Sequence, residues 1–306
     1  TGNLITAVNI PAASGAHSER FYRCTANGFR LGLTWEQTAP YGGTGRYRWM
    51  PKLPFTMGNE TSGQVVSAGP GVTRLRAGQK VFAAGYDVGN RGGLQAEYFT
   101  APADAVWPLP ESVDFDAATA LTNYQLAWLL MHRAARGVEA KHVVIYGAAG
   151  GVGTALSDVA QAAGATAIGI AGGPEKRAFL ESRGVTAIDH RSDDIAERVA
   201  AATGGHGAGI VFTHLAGATI AEGIKMLAPL GMVVSYAVLQ GLPSTETFKE
   251  MRERIEMSPA VRCMTMHTFD HWPEPRREAM TEAIAHLASG RAKPAIAARL
   301  DRKSVV

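Results

Sequence analysis

The chain has 306 residues, 46% hydrophobic and 19% charged, with a formal net charge of +3. This balance suits packed domains of ordinary size and excludes a disordered chain. The basic residues are scattered without interleaved aromatics, which argues against nucleic acid as a partner, and no apolar run reaches the roughly 18–20 residues that cross a bilayer.

Before about residue 120 the sequence breaks into short β-like pieces between Gly and Pro, such as Gly63–Ala68, Lys80–Ala84 and Gln95–Thr100. This half is predicted to be a small, mostly antiparallel β domain. Ser112–Arg136 is predicted largely helical and leads into the second half. There, strands are predicted at 142–146, 165–171, 186–189, 209–213 and 232–237, with helices at 153–163, 174–183, 195–203 and 219–227. Such alternation predicts an α/β fold with a doubly wound parallel sheet, helices on both faces and right-handed crossovers. Val261–His267 reads as a late strand. The first residues carry no basic-then-apolar leader pattern, and the two cysteines, Cys24 and Cys263, form no motif; both suit a reduced, cytoplasmic setting.

The most informative stretch runs from the β-branched Val143-Val144-Ile145-Tyr146 through Gly147-Ala148-Ala149-Gly150-Gly151-Val152-Gly153 to the helix opening at Thr154. A glycine-rich turn between a buried strand and a helix is the setting that binds a pyrophosphate. Glycine lets backbone approach phosphate, and the helix N-terminus offers unpaired N–H groups and a positive dipole end. Gly147, Ala149, Gly150, Gly151, Val152 and Gly153 are therefore candidate cofactor-binding residues. An NAD-preferring site carries an acid about 20 residues past the turn for the ribose 2′-OH. Here the second strand ends in Ala171-Gly172-Gly173, followed by Lys176 and Arg177. Cations there suit a 2′-phosphate, so NADPH is expected over NADH, with Gly172 at the contact; Glu175 is the dissenting residue. Tyr236 closes the fifth strand at the carboxyl edge of the sheet, where ligands bind in open α/β sheets. It is a candidate for both cofactor contact and catalysis, the alternative being simple packing.

Several motifs occur in a telling order: Pro54-Phe55-Thr56-Met57-Gly58-Asn59-Glu60-Thr61-Ser62-Gly63-Gln64-Val65-Val66, then Gly69-Pro70-Gly71-Val72 with Gly78-Gln79-Lys80-Val81, then Gly92-Gly93-Leu94-Gln95-Ala96-Glu97-Tyr98, then the Gly147–Gly153 turn. With these the chain resembles the medium-chain dehydrogenase/reductase superfamily, in its zinc-independent quinone oxidoreductase and enoyl reductase branch, over roughly residues 5–300. The resemblance implies a GroES-like domain at 1–122, joined by 268–306, and a Rossmann dinucleotide-binding domain at 123–267. It also implies that His190 and Arg191 contact the adenosine phosphate, and that Asn27 and Tyr124 line the nicotinamide cleft, with packing as the other reading of Tyr124. Similar proteins commonly dimerise by pairing edge strands, so Val261–His267 implies a homodimer; Arg262 and His267 blunting that edge would leave a monomer. The catalytic-zinc relatives carry a His where this chain has Asn59, and a structural zinc lobe needs four clustered cysteines, so no metal is expected. His267 and His271 have i, i+4 spacing but no accompanying acid or cysteine and are read as surface or packing residues. The chain departs from the pattern at Thr213-His214, where relatives often carry Asp, and at Leu126, where many have Thr. An N-terminal strand pair and a helix before Lys303 that the pattern implies are also not found.

Without a metal, no Lewis acid polarises an alcohol. Hydride transfer then needs an electron-poor acceptor: a quinone, an enone or an enoyl thioester. Trp35, Tyr41, Tyr47 and Trp49 would favour a quinone if they line an acceptor pocket. Expected, then, is an NADPH-dependent, zinc-free reductase of quinones or α,β-unsaturated carbonyls. The alternatives are a stand-alone enoyl-thioester reductase of polyketide or fatty-acid metabolism and a non-enzymatic NADPH-binding protein.

Overall fold

The computed structural model describes residues 4–9, 24–25, 28–29, 58–88, 94, 96, 98–191 and 193–297. The chain forms two compact units, Thr1–Thr122 with Ala295–Val306, and Asn123–Pro294. Residues 268–294, joined to the first domain in the sequence reading, fall in the second unit.

The first unit holds β1 (Leu4–Asn9), the short pair β2 (Cys24–Thr25) and β3 (Gly28–Phe29), then β4 (Glu60–Ala68), β5 (Lys80–Ala84), β6 (Tyr98–Pro102) and β7 (Val106–Pro108). Its main sheet runs β6-β1-β4-β5-β7, with antiparallel neighbours. Val65, Leu75, Val81, Ala83, Leu94, Ala101 and Val106 are buried together as its core. A short helix, α1 (Phe115–Ala118), follows, capped by Asp114, whose Oδ1 accepts from the amides of Asp116 (2.9 Å) and Ala117 (3.2 Å). The Ser62 hydroxyl donates to the Phe115 carbonyl at 2.8 Å and fastens this turn to β4.

Helix α2 (Leu121–Leu129) and a π-helical turn (Leu130–Ala134) lead into the second unit. Its parallel strands are β8 (His142–Tyr146), β9 (Thr166–Ala171), β10 (Thr186–Asp189), β11 (Ala208–Thr213), β12 (Leu227–Ser235) and β13 (Ala260–Cys263). The order β10-β9-β8-β11-β12-β13 is that of the Rossmann fold, and the chain reverses direction across the sheet between β8 and β11. The intervening helices are α3 (Gly151–Ala162), α4 (Pro174–Glu181), α5 (Ile195–Ala202) and α6 (Ala218–Lys225); α7 (Thr245–Glu253) and α8 (Glu274–Ala288) come after β12 and β13. The apolar runs explain the sheet. Alternate residues Val144 and Tyr146, Ile168 and Ile170, with Ile188, share one buried cluster with Ile195 and Val199 of α5 and Ile220 and Ile224 of α6. The predicted doubly wound sheet and smaller antiparallel domain are both present. The predicted last strand ends early: β13 stops at Cys263, and Met266–Phe269 is a 3-10 turn opened by Thr265.

One buried carboxylate gathers three separate segments of this unit. Asp158 of α3 accepts from the Tyr124 hydroxyl, the Arg183 guanidinium and the Lys293 amide, each at 2.7 Å. Desolvation, and next the Asp158 charge, push the Tyr124 phenol far above its usual range, so it stays a donor. Tyr124→Phe should lower stability by about 1–3 kcal/mol, the scale of a hydrogen bond to a charged group. Asp158→Ala should cost more, about 3–5 kcal/mol, because it strands the buried Arg183 charge. Urea denaturation measures both, and equal losses for the two variants would refute the three-donor account.

Candidate functional site

At the end of β8 the chain makes a turn that only glycine completes. Gly147 has φ +66°, in the left-handed region that glycine enters without strain. Its amide and that of Ala148 both donate to the Ile170 carbonyl, at 2.9 and 3.2 Å, which ties the turn to β9. The Gly150 amide closes back on the Gly147 carbonyl at 2.9 Å, and helix α3 starts there with no side-chain cap. The amides of Gly151, Val152 and Gly153 therefore belong to the first helical turn, whose N–H groups have no intrahelical acceptor. They carry the positive end of a 12-residue helix. A Cβ on Gly153 would stand 2.3 Å from the Gly147 oxygen and 2.6 Å from the Ala148 Cα, whereas one on Gly150 would meet only that oxygen, at 3.3 Å.

This turn borders a cavity of about 530 Å³, lined there by Gly147, Ala149 and Gly150 and at another edge by Gly172, Lys176 and His190. At Gly172 a Cβ would meet His190 Nε2 at 2.7 Å and Arg191 Nε at 2.8 Å, so both side chains close over bare backbone. Asp189, the last residue of β10, holds them there: its carboxylate accepts from the Gly173 amide at 2.9 Å and the Arg191 amide at 3.0 Å. The Arg191 amide and then the Gly173 amide keep this carboxyl below its usual range, against the opposing cost of desolvation. The result is a carboxylate turned inward to organise a loop whose His190 and Arg191 side chains remain for a ligand.

The structure thus brings together Gly147, Ala149, Gly150, Gly172, Lys176 and His190, with Arg191 beside them and Gly151, Val152 and Gly153 in the adjoining helical turn. Arg177 is not among the lining residues; it pairs with Glu181, one turn along α4, at 3.6 Å. Tyr236 is not among the lining residues; its ring centroid lies 6.0 Å from that of the lining residue His214, and burial pushes its phenol well up. Tyr124 lies elsewhere in the unit, bonded to Asp158. Asn27 lies outside the described residues, as do Trp35, Tyr41, Tyr47 and Trp49.

Sequence reasoning missed Asp189, Glu222 and Gln240, and noted His214 only as a departure from the pattern. His214 Cε1 lies 2.4 Å from where a Gly147 Cβ would be, so the imidazole packs directly on the turn. Burial lowers its pKa, opposed in part by the Tyr146 carbonyl, which makes it neutral at neutral pH. Its Nδ1 is buried without a hydrogen-bond partner among the described residues. Asn59 spends its amide nitrogen as a donor, to Glu60 Oε1 at 3.0 Å, and Thr122 Oγ1 donates to the same oxygen at 2.6 Å. Among the described residues no group of three His, Cys, Asp or Glu side chains is assembled for a metal, and no helix is long and apolar enough to cross a membrane.

The arrangement suits an elongated anion: unpaired amides and a helix dipole at one edge, cations at another. The two glycines at the turn separate ligand approach from folding. Gly150→Val should keep the fold, with a melting temperature within a few degrees of the parent, yet lose nucleotide binding about a hundredfold or more. Gly153→Val should destabilise by about 3 kcal/mol or more, because its Cβ meets backbone that cannot move aside. Thermal melts with nucleotide titrations check this, and full binding by Gly150→Val would refute it.

Comparison with known proteins agrees with this geometry. Residues 33–111 match the family model described as alcohol dehydrogenase GroES-like domain, and residues 151–282 the one described as zinc-binding dehydrogenase. The quinone oxidoreductase-like protein 2 homolog of Nematostella vectensis is 34% identical over 200 residues, 64% of this chain and 53% of that protein. The chain thus spans about half the length of such curated relatives. Among solved structures, the quinone oxidoreductase of Pseudomonas syringae pv. Tomato DC3000 superposes with a TM-score of 0.70 at 26% identity, covering 95% of this chain and 90% of that one. The Escherichia coli quinone oxidoreductase complexed with NADPH gives the same TM-score, 0.70, at 24% identity, covering 87% and 80%, a likeness of fold. With the two family models in sequence order, the Rossmann sheet and its glycine turn, the chain belongs to the medium-chain dehydrogenase/reductase superfamily, in its quinone oxidoreductase-like branch.

Proposed function

We propose that this chain is an NADPH-dependent, zinc-free oxidoreductase that reduces quinones or α,β-unsaturated carbonyls. The observation that carries the reading is the single cavity joining the Gly147–Gly150 turn to the Lys176 and His190 edge. The residues fit the cofactor: the turn backbone is bare where a diphosphate would lie, and Gly172 leaves no Cβ between backbone and the His190 and Arg191 side chains. Bound there, the reduced nicotinamide supplies a hydride, and the acceptor must already be electron-poor to take it. The protein's share is positioning and charge. The α3 amides and Lys176 hold phosphates, and Asp189 fixes the loop that brings His190 and Arg191 to the same edge. The reduced acceptor also needs a proton. Tyr236, kept protonated by burial next to His214, is the described candidate to hold one, and Asn27 is retained as the second catalytic candidate. Tyr124 is assigned a packing role, since its hydroxyl is engaged by Asp158. The alcohol chemistry of zinc relatives is not part of the reading, because the amide of Asn59 is a poor ligand and already a donor to Glu60. An enoyl thioester is the same class of acceptor as an enone, so it stays within the proposal. A two-fold homodimer in the cytoplasm is the assembly this reading favours, since β13 ends the sheet order.

The cofactor arm of the proposal is tested by equilibrium titration. NADPH should bind at least about tenfold tighter than NADH, about 1.4 kcal/mol, and Lys176→Ala should erode the difference. Equal affinities in the parent protein would sink it. The acceptor arm is tested by a turnover screen: NADPH should be oxidised with a quinone or an enone, with little or no reaction of NADP⁺ with ethanol. Chelator should leave the rate unchanged and elemental analysis should find no stoichiometric zinc. Ready alcohol oxidation with one zinc per chain would overturn the proposal.

A further inference from the structure

The cavity has an acidic wall as well as a cationic one. Glu222, on α6, lines it beside Thr219 and Ile195. Its carboxylate is not loose: Oε2 accepts the hydroxyl of Tyr146, the last residue of β8. Tyr146 is 3% exposed and packed among Ile168, Ile170 and Ile195. Burial first, and then Glu222 itself, push this phenol far above its usual range, so it donates at any working pH. A tyrosine rooted in the core therefore holds one oxygen of a cavity-facing carboxylate in place. That bond uses a single oxygen, and a carboxylate has further acceptor sites.

A fixed negative charge is the wrong neighbour for a phosphate. It divides the cavity: phosphates belong at the glycine turn and the Lys176 edge, and the Glu222 wall must meet something else. What meets it must be a donor, since an ionised carboxylate only accepts. The cavity lining also includes the apolar Ile170, Ile195 and Leu215, which suits a flat heterocycle. In an adenine dinucleotide the heterocycle's donor is the 6-amino group.

Resting on the dinucleotide reading above, we infer that Glu222, held by Tyr146, is a specificity-determining residue that reads the 6-amino group of adenine. A base carrying a carbonyl at that position sets acceptor against acceptor and is refused, as polar sites refuse analogues that leave their groups unpaired.

The test compares NADPH with nicotinamide hypoxanthine dinucleotide phosphate, which keeps both phosphate sites and the nicotinamide, replaces the 6-amine by a carbonyl and turns the neighbouring N1 from an acceptor into an N–H donor. Affinity is read by calorimetric titration, without turnover. The parent should prefer NADPH by at least about tenfold. Glu222→Gln, whose amide can donate as well as accept, should bring the two within about threefold, mainly by tighter binding of the hypoxanthine analogue. Tyr146→Phe should narrow the preference in the same direction. Lys176→Ala should leave it intact while eroding the preference for NADPH over NADH. Equal affinity of the parent for the two dinucleotides overturns the inference and leaves the cofactor reading standing. Equal weakening of both by Glu222→Gln also overturns it, since the carboxylate would then serve a ribose hydroxyl or the fold. A parent that binds neither dinucleotide overturns the cofactor reading itself, and the inference with it. The parent comparison needs no variant, so it decides even if Glu222→Gln fails to fold.

Discussion

The carbonyl oxygen of Gly147 occupies the space where a side chain on Gly153 would have to be. This backbone-on-backbone contact lets α3 start immediately behind β8, and much else depends on it. It aims the first amides of α3 at the carboxyl edge of the sheet. It leaves the turn flat enough for the His214 ring to pack on Gly147. It places one rim of the cavity beside the reversal of strand order between β8 and β11, where open α/β sheets bind their ligands. A second close approach, at Gly172, does the same for the loop after β10. Both contacts require glycine in the sequence.

These contacts also explain what could be read without coordinates. The parallel strands were legible because both faces of the sheet are covered, so apolar residues run without interruption, as in Val143–Tyr146 and Ala167–Ala171. Turn glycines were legible because no other residue fits. Lys176 was legible because its position relative to the turn is set by the βαβ unit of β8, α3 and β9, whereas His190 was legible only through the family resemblance. The predicted end of the late strand missed because its apolar pattern continues through Met264 and Met266 while the backbone turns at Thr265. Arg177 was legible as a cation but not as the partner of Glu181, a choice made by the direction each side chain leaves α4.

The hidden residues share a different property: their partners are distant in sequence. Glu222 meets Tyr146 across 76 positions, and Tyr124 meets Asp158 across 34. No local period or spacing marks such pairs, and a lone glutamate on a helix reads as an ordinary solvated side chain. Asp189 escaped notice for the opposite reason. Its partners, Gly173 and Arg191, are main-chain amides, which every residue carries and which no side-chain motif records. The cavity therefore combines a legible half, built from glycine and cations around one turn, with an illegible half that exists only once β8, α5 and α6 have packed.

The three bonds to Asp158 bear on topology as well as stability. Tyr124 lies two positions past the point where the chain leaves the first unit, and Lys293 two positions before it returns. Both are bonded to one carboxylate, so the two ends of the 123–294 segment meet at a single side chain. In connectivity terms the second unit is an insert with touching ends, the condition under which one domain can be spliced into another without disturbing its host.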